Sequence, residues 1–269
     1  MPSSAVPDFP AARARAGRLL VLESATSTND VLAVAAAEHP SDWPHFSVVA
    51  TLAQTAGRGR LGRSWVAPAG RTLAVSVLLR PSVPTPADAA GWVPLAAGAA
   101  MAAAISRRLP AGAVGLKWPN DVLTTADDRK LCGILAERQP GGRIVLGAGV
   151  NLTLAEEELP VPTATSLALA GATDVHPDAV LADWLEALRA LVDPLLAGDL
   201  GPVTRAVRAS CTTLGRRVRV ELPGSGILEG TAEDLDETGR LLVRVSEGAG
   251  SESGSLRAVA AGDVTHLRY

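Results

Sequence analysis

Between Gly57 and Trp65 the chain reads GRGRLGRSW, three glycines and three arginines in nine residues closed by a tryptophan. Gly57, Gly59 and Gly62 let the backbone approach a ligand closely or take left-handed angles. Arg58, Arg60 and Arg63 each carry a planar fork of donors matched to phosphate or carboxylate oxygens. Together they make an anion clamp. Further on, Lys117 ends an apolar run and leads into Trp118-Pro119-Asn120-Asp121, a rigid turn. A lone lysine in such a place usually just reaches solvent, but beside an anion clamp it is better read as a point charge for the same anion. Asp121 is a turn-former first, and a magnesium ligand or base only second. Gly133 in KLCGIL, and Gly149 and Asn151 in GAGVNL, mark further points where backbone or a short amide can meet a ligand. On its own, GxGxN is a weak signal.

Other chemistries compete for the clamp. Gly57 to Gly62 satisfies G-x-G-x-x-G, but a dinucleotide fingerprint needs a helix to open at the glycines. Here the chain runs on into Ser64, Trp65, Pro68 and Gly70, a loop composition. A Walker loop fails for want of Gly-Lys-Ser/Thr. An arginine-rich nucleic-acid patch belongs to a wider basic field, and 25 Lys+Arg against 28 Asp+Glu give a net charge of −3. A solvated basic turn explains one arginine better than three.

The elements that must position these residues follow from composition and periodicity. The length of 269 residues and a hydrophobic fraction of 47% suit one large domain, or one with a small appendage. No apolar run reaches the roughly eighteen residues of a membrane span, and no signal peptide is visible. Cys132 and Cys211 do not make a disulfide framework, so a reducing, cytoplasmic setting is expected. His39, His45, His176 and His266 are scattered and read as structural or exposed. No Cys/His cluster has zinc spacing.

Residues 1–17, rich in Pro, Ala and Arg, read as a disordered leader. Arg18 to Leu22 is a strand, after which Ser27 or Thr28 caps a helix over Val31, Leu32, Val34 and Ala35. Capping leaves the open side of that terminus available to a ligand. Val48 to Ala53, Thr72 to Leu79, Val114 to Lys117, Lys130 to Arg138 and Arg143 to Leu152 read as strands. Pro84 to Asp88 is a linker, and Pro140-Gly141-Gly142 a turn. An alanine-rich helix covers Pro94 to Leu109, another Ala179 to Leu196, and a third Val203 to Ser210. After Leu214, short alternating strands with turn signals at roughly eight- to twelve-residue spacing indicate a small β-barrel. The boundaries are thus 1–17, 18–211 and 212–269.

GRGRLGRSW, KWPNDV, KLCGIL and GAGVNL, in this order, resemble the signature blocks of the biotin–protein ligases, and the match covers roughly residues 18–269. The resemblance implies an α+β fold. A mixed β-sheet with packed helices, of the class II synthetase-like biotin/lipoate ligase kind, would carry a small C-terminal SH3-like barrel. It also implies a two-step reaction, in which biotin and MgATP give biotinyl-5′-AMP and the biotinyl group passes to a carrier lysine. That lysine would belong to the biotin carboxyl carrier domain of an acyl-CoA or pyruvate carboxylase. By motif, Ser27, Thr28, Asn29, Gln54, Arg58, Gly59, Arg60, Lys117 and Gly133 would meet biotin. Arg58, Arg60, Arg63, Trp65, Lys117, Asn120, Gly149 and Asn151 would hold ATP and the adenylate. Lys117 and Arg60 would be catalytic, and no metal ligand is assigned. The family's repressor branch has an N-terminal DNA-binding domain, for which residues 1–17 leave no room. No specific DNA binding and no membrane association are therefore expected.

The chemistry agrees with the residue types. A carboxylate attacking a triphosphate brings two anions together, at about 4 kcal/mol per unit pair at ~4 Å and an effective dielectric of ~20. Preorganised cations offset this. Biotin's neutral ureido ring needs short polar partners such as Ser27, Asn29 and Gln54 within apolar walls. A lipoate–protein ligase is the alternative within the same fold, and the KWPND block favours biotin. A module that merely holds a biotinyl nucleotide is the alternative outside catalysis. In the barrel, Glu229, Glu233, Asp234, Asp236 and Glu237 suggest a surface for a partner protein.

Overall fold

A computed structural model describes residues 7–65, 68–81, 87–222, 226–246 and 254–267. In chain order come α1 (Pro10–Arg13), β1 (Arg18–Leu22), α2 (Thr28–Glu38), β2 (Ser47–Thr51) and the two-residue strands β3 (Gly57–Arg58) and β4 (Ser64–Trp65). There follow β5 (Thr72–Leu79), α3 (Ala87–Ala90), α4 (Trp92–Ser106), β6 (Val114–Lys117), β7 (Asp121–Thr124), β8 (Lys130–Arg138) and β9 (Ile144–Asn151). After α5 (Pro177–Leu196) and α6 (Gly201–Ser210), the chain ends in β10 (Arg217–Glu221), β11 (Ile227–Leu235), β12 (Leu241–Val245), β13 (Leu256–Val259) and β14 (Asp263–His266).

A seven-stranded sheet in the order β1-β2-β5-β9-β8-β7-β6 forms the centre. β1 and β2 run parallel and the other pairs antiparallel. Side chains alternate across a strand, and the sequence uses both faces. Leu73, Val75, Val77 and Leu79 of β5 join Val48, Ala50, Leu146 and Val150 beneath α4 and α5. Leu78, Val49 and Val145 point the other way, onto Leu32 and Ala36 of α2. β5 is therefore buried along its whole length. The small residues of α4 let it lie close to the sheet, and the Trp184 indole of α5 donates to the Ala97 carbonyl across 3.1 Å.

β10 to β14 form a five-stranded antiparallel sheet in the order β13-β12-β11-β10-β14. It is fastened to the larger unit through α4 and the turn after β6. The indoles of Trp92 and Trp118 donate to the carbonyls of Glu237 and Gly239, at 2.8 and 3.1 Å. Both carbonyls lie between β11 and β12.

Several expectations need correction. Residues 7–17 are not a disordered leader: Phe9 and Ala12 are fully buried, and the Ala11 and Ala12 amides donate to Asp178 of α5 at 3.0 and 2.8 Å. Residues 1–6 lie outside the described residues, as do residues 84–86 of the expected linker, and Ala87 already belongs to α3. The alanine-rich helix starts at Trp92, before Pro94. The KWPND turn returns directly as β7, with Lys117 opposite Asp121. Four of the five acidic residues singled out in the C-terminal sheet are ion-paired. Glu229 pairs with Arg219, Glu233 with Arg244, Asp234 with Arg208 and Asp236 with Arg240. Among the described residues, no helix is long and apolar enough to cross a membrane.

Candidate active site

The α2 N-terminus is built as the capping signal requires. Ser27 is extended and its hydroxyl accepts from the Asp30 amide at 3.4 Å. The Thr28 amide donates to the Gln54 side-chain carbonyl at 2.9 Å, which brings the segment after β2 against the helix. Asn29 Oδ1 accepts from Ser76 of β5 at 2.6 Å, and its Nδ2 donates to Glu137 of β8 at 2.6 Å. Ser27, Thr28 and Asn29 are all buried. Gly147 must be glycine for this packing, since a Cβ there would lie 2.4 Å from Asn29 Oδ1.

The clamp is a small hairpin rather than an irregular loop. Gly57 pairs with Trp65 and Arg58 with Ser64 across β3 and β4. The Gly59 amide donates to the Arg63 carbonyl at 2.6 Å, and Gly62 takes the left-handed φ of 74° that closes the turn. Its arginines have different fates. Arg58 donates to Asp30 at 2.6 Å and to Glu137 at 3.1 Å. These partners, Asp30 foremost, push its pKa above the usual arginine range. Arg63 reaches across to Asp263 of β14 at 2.5 Å, and this bond raises its pKa as well. Arg60 instead meets a neutral acceptor, Asn120 Oδ1, at 2.9 Å. Burial lowers its pKa. Asn120 is fixed in turn by donating to the Ile134 carbonyl at 2.8 Å.

Trp65 lies over the floor formed by β8 and β9. A Cβ on Gly149 would come within 2.5 Å of its ring, and one on Gly133 within 3.1 Å. The Trp65 Nε1 is buried without a hydrogen-bond partner. Lys130 Nζ stands 5.6 Å from the centre of that ring and 2.6 Å from Asp121 Oδ1. The Asp121 contact is an ion pair only, because Oδ1 receives no well-directed hydrogen bond. Asn151 is buried, and its Nδ2 donates to the Thr165 carbonyl at 2.8 Å. Lys117 makes no ion pair with a carboxylate among the described residues.

The α2 terminus, the clamp, Lys117, Lys130 and the glycine-marked floor face one cavity of about 930 Å³. Each residue given a ligand by the family resemblance lines it: Ser27, Thr28, Asn29, Gln54, Arg58, Gly59, Arg60, Arg63, Trp65, Lys117, Asn120, Gly133, Gly149 and Asn151. Arg58 and Arg63 are committed to carboxylates, which leaves Arg60 and Lys117 as the cations with the most charge to offer an anion. Sequence reasoning missed Ser76, Glu137, Lys130 and the contribution of β14. Ser76 had left a trace, as a hydroxyl in the middle of the apolar run TLAVSVLL. Both cysteines are free and buried, and burial pushes the Cys132 thiol far up.

Residues 21–151 match the biotin/lipoate A/B protein ligase family, and residues 213–267 match the biotin protein ligase C-terminal domain. The biotin–[acetyl-CoA-carboxylase] ligase of Mycobacterium tuberculosis is 40% identical over 258 residues, covering 93% of this chain and 88% of the relative. The biotin protein ligase of Aquifex aeolicus, solved with biotin and ATP, shares the fold at a TM-score of 0.71. It has 24% identity and covers 94% of this chain and 100% of its own. That of Leishmania major, solved with biotin, aligns at a TM-score of 0.60 and 26% identity over 91% and 99% of the two chains. The matched spans contain the α2 terminus, the clamp, the lysine turn and the glycine-marked floor, and with them this chain belongs to the biotin protein ligase family.

Proposed function

We propose that the protein activates biotin with ATP as biotinyl-5′-AMP and transfers the biotinyl group to a lysine of a biotin carboxyl carrier domain. One observation carries this reading. Two cations without carboxylate hydrogen-bond partners, Lys117 and Arg60, share a cavity with a buried set of short polar groups at the α2 terminus. Ser27, Thr28, Asn29 and Gln54 suit the neutral ureido ring of biotin, and backbone at Gly133 can follow the acid. Lys117 then stands where the acid's carboxylate meets the α-phosphate. Arg58 and Gly59 border that point. In the first step a carboxylate oxygen attacks the α-phosphorus and pyrophosphate leaves. Lys117 and Arg60 stabilise the charge that develops there. Trp65, Asn120, Gly149 and Asn151 form the nucleotide side, with Arg63 at its edge. In the second step the carrier lysine's amine attacks the acyl carbon and AMP departs.

Magnesium would enter with ATP, bound chiefly by its phosphates. No group of three or more His, Cys, Asp or Glu able to hold a metal occurs among the described residues. Asp121 would meet the ion only by giving up its ion pair with Lys130, at 2.6 Å through Oδ1, and the ion would supply charge neutralisation. We take 18–211 as the catalytic unit, 212–269 as its C-terminal partner, and the cytoplasm as the setting. Biotin-dependent exchange of labelled pyrophosphate into ATP, requiring magnesium, tests the first step, and incorporation of labelled biotin into a carrier domain tests the second. Exchange that runs equally well with lipoate, or without any acid, would overturn the reading.

A further inference from the structure

The C-terminal sheet places one buried imidazole in the wall of this cavity. The His266 side chain on β14 is 3% exposed and lines the same space as Lys117. Its two ring nitrogens have different partners. Nδ1 lies 3.2 Å from Arg216 Nη1, and a guanidinium can only donate. Nδ1 also lies 3.4 Å from Asp128 Oδ1, but the guanidinium is the nearer partner, and with Nδ1 accepting from it Nε2 carries the proton and meets Thr213 Oγ1 at 3.1 Å. The same hydroxyl oxygen accepts from the Trp118 amide at 3.0 Å, which belongs to the peptide immediately after Lys117. Arg216 is anchored by Asp128 at 2.9 and 3.0 Å. A continuous chain of contacts therefore runs from Asp128 through Arg216, His266 and Thr213 to the backbone that presents Lys117.

We propose that His266 is a positioning residue for Lys117, acting in its neutral form through Thr213 and the Trp118 amide. This rests on the reading that Lys117 serves the adenylation step. The charged groups facing the ring are Lys117 from β6, Asp128 from the segment between β7 and β8, and Arg216 ahead of β10. Burial first, and Lys117 second, hold the imidazole below its ordinary range, with Asp128 opposing them. Protonation would turn Nδ1 into a donor that loses its bond from Arg216 and turns to Asp128 Oδ1, 3.4 Å away, and would set a second positive charge near Lys117. The clasp then fails only on the acid side of the ordinary histidine range, because the ring resists protonation.

Two measurements on the full chain test this. In the first, pyrophosphate exchange at saturating substrates is followed from about pH 5.5 to 8.5 for the wild type and His266→Ala, each checked by circular dichroism and melting. Above pH 7 the variant's kcat is expected to fall on the order of tenfold, within the hundredfold that a 1 Å misplacement can cost. The KM for biotin should change little. The ratio of wild-type to variant rate should approach one on the acid side, where the wild type loses its neutral histidine. Thr213→Val, which removes the hydroxyl and keeps the shape, should show the same loss. A ratio that is one throughout, or that does not vary with pH, would overturn the proposal.

The second measurement needs neither a variant nor activity. The protection factor of the wild-type Trp118 amide should drop as His266 titrates, while that of the Ile134 amide in β8 stays constant. Trp118 protection that ignores pH would also overturn the proposal. If the wild type shows no biotin-dependent exchange, the proposed function fails, and the Trp118 amide alone decides whether the clasp exists.

Discussion

Arg60 Nη1 donates to Asn120 Oδ1 across 2.9 Å, so the half-buried arginine of the clamp is held by a neutral group. Its neighbours Arg58 and Arg63 are held by carboxylates. The clamp therefore has two arginines that fasten it and one whose charge is kept for the cavity. Fixing Arg60 through an amide orients the fork without cancelling it.

Asn120→Asp tests this directly. The replacement keeps shape but sets a carboxylate against the fork, converting Arg60 into a third fastening. The pyrophosphate exchange rate should fall towards that of Arg60→Ala, on the order of a hundredfold below wild type. Arg60→Ala should also let the adenylate escape and acylate lysines on bystander proteins. Full exchange activity in folded Asn120→Asp would show that the charge of Arg60 is not what the site uses.

Lys117→Ala should cost the first step more than the second. Its charge has no carboxylate partner among the described residues and matters most while a carboxylate approaches phosphorus. A loss on the order of a hundredfold or more is expected in exchange, with a smaller one in transfer from pre-formed biotinyl-AMP. Equal losses in both steps would assign Lys117 to binding alone.

The cavity's wall was largely legible in the sequence, because glycine, arginine and lysine at such spacing have few other uses. The α2 cap, β5 and β8 were legible too, through period and capping residues. What could not be read was pairing over distance. Arg58 meets partners 28 and 79 residues away, and Arg63 one 200 residues away, and no local pattern encodes such neighbours. Phe9 was hidden for a related reason. A single aromatic among proline, alanine and arginine has no period, and only Asp178, packed against α1, shows where that segment belongs. β7 escaped because it follows a proline turn at once, with no polar stretch to announce a new strand.

The buried thiols should be silent in the native protein. Cys132 is fully buried and its pKa is pushed far up, chiefly by burial, while Cys211 is raised for the same reason. Since the thiolate is the reactive form, an aromatic disulfide reagent at pH 8 should titrate no cysteine until denaturant is added, and then both. Rapid labelling of Cys132 in the folded chain would mean that the cavity floor under Gly133 opens to solvent.

Among the described residues, the C-terminal sheet is ion-paired to the clamp through one exposed pair, Arg63 to Asp263, and reaches the core through buried indoles. The two links should separate by experiment. Truncation after Ser210 would remove the carbonyl acceptors of Trp92 and Trp118, together with the Thr213 hydroxyl that receives the Trp118 amide. Stranding such buried donors costs on the order of 1–3 kcal/mol each, so the truncated chain is expected to melt far below the full one. Its activity would report only on unfolding. Asp263→Ala is the better probe. An exposed pair contributes about 0.2–1 kcal/mol, so the melting temperature should barely move and pyrophosphate exchange should stay within a few fold. The clamp would lose its tie to β14, and the adenylate should dissociate faster before transfer. Wild type should approach this behaviour as salt rises, because the Debye length is about 10 Å at 0.1 M and about 3 Å at 1 M. Adenylate release that is identical in Asp263→Ala and wild type at low salt would show that Arg63 does not hold the clamp, leaving Arg58 with Asp30 and Glu137 as its fastening.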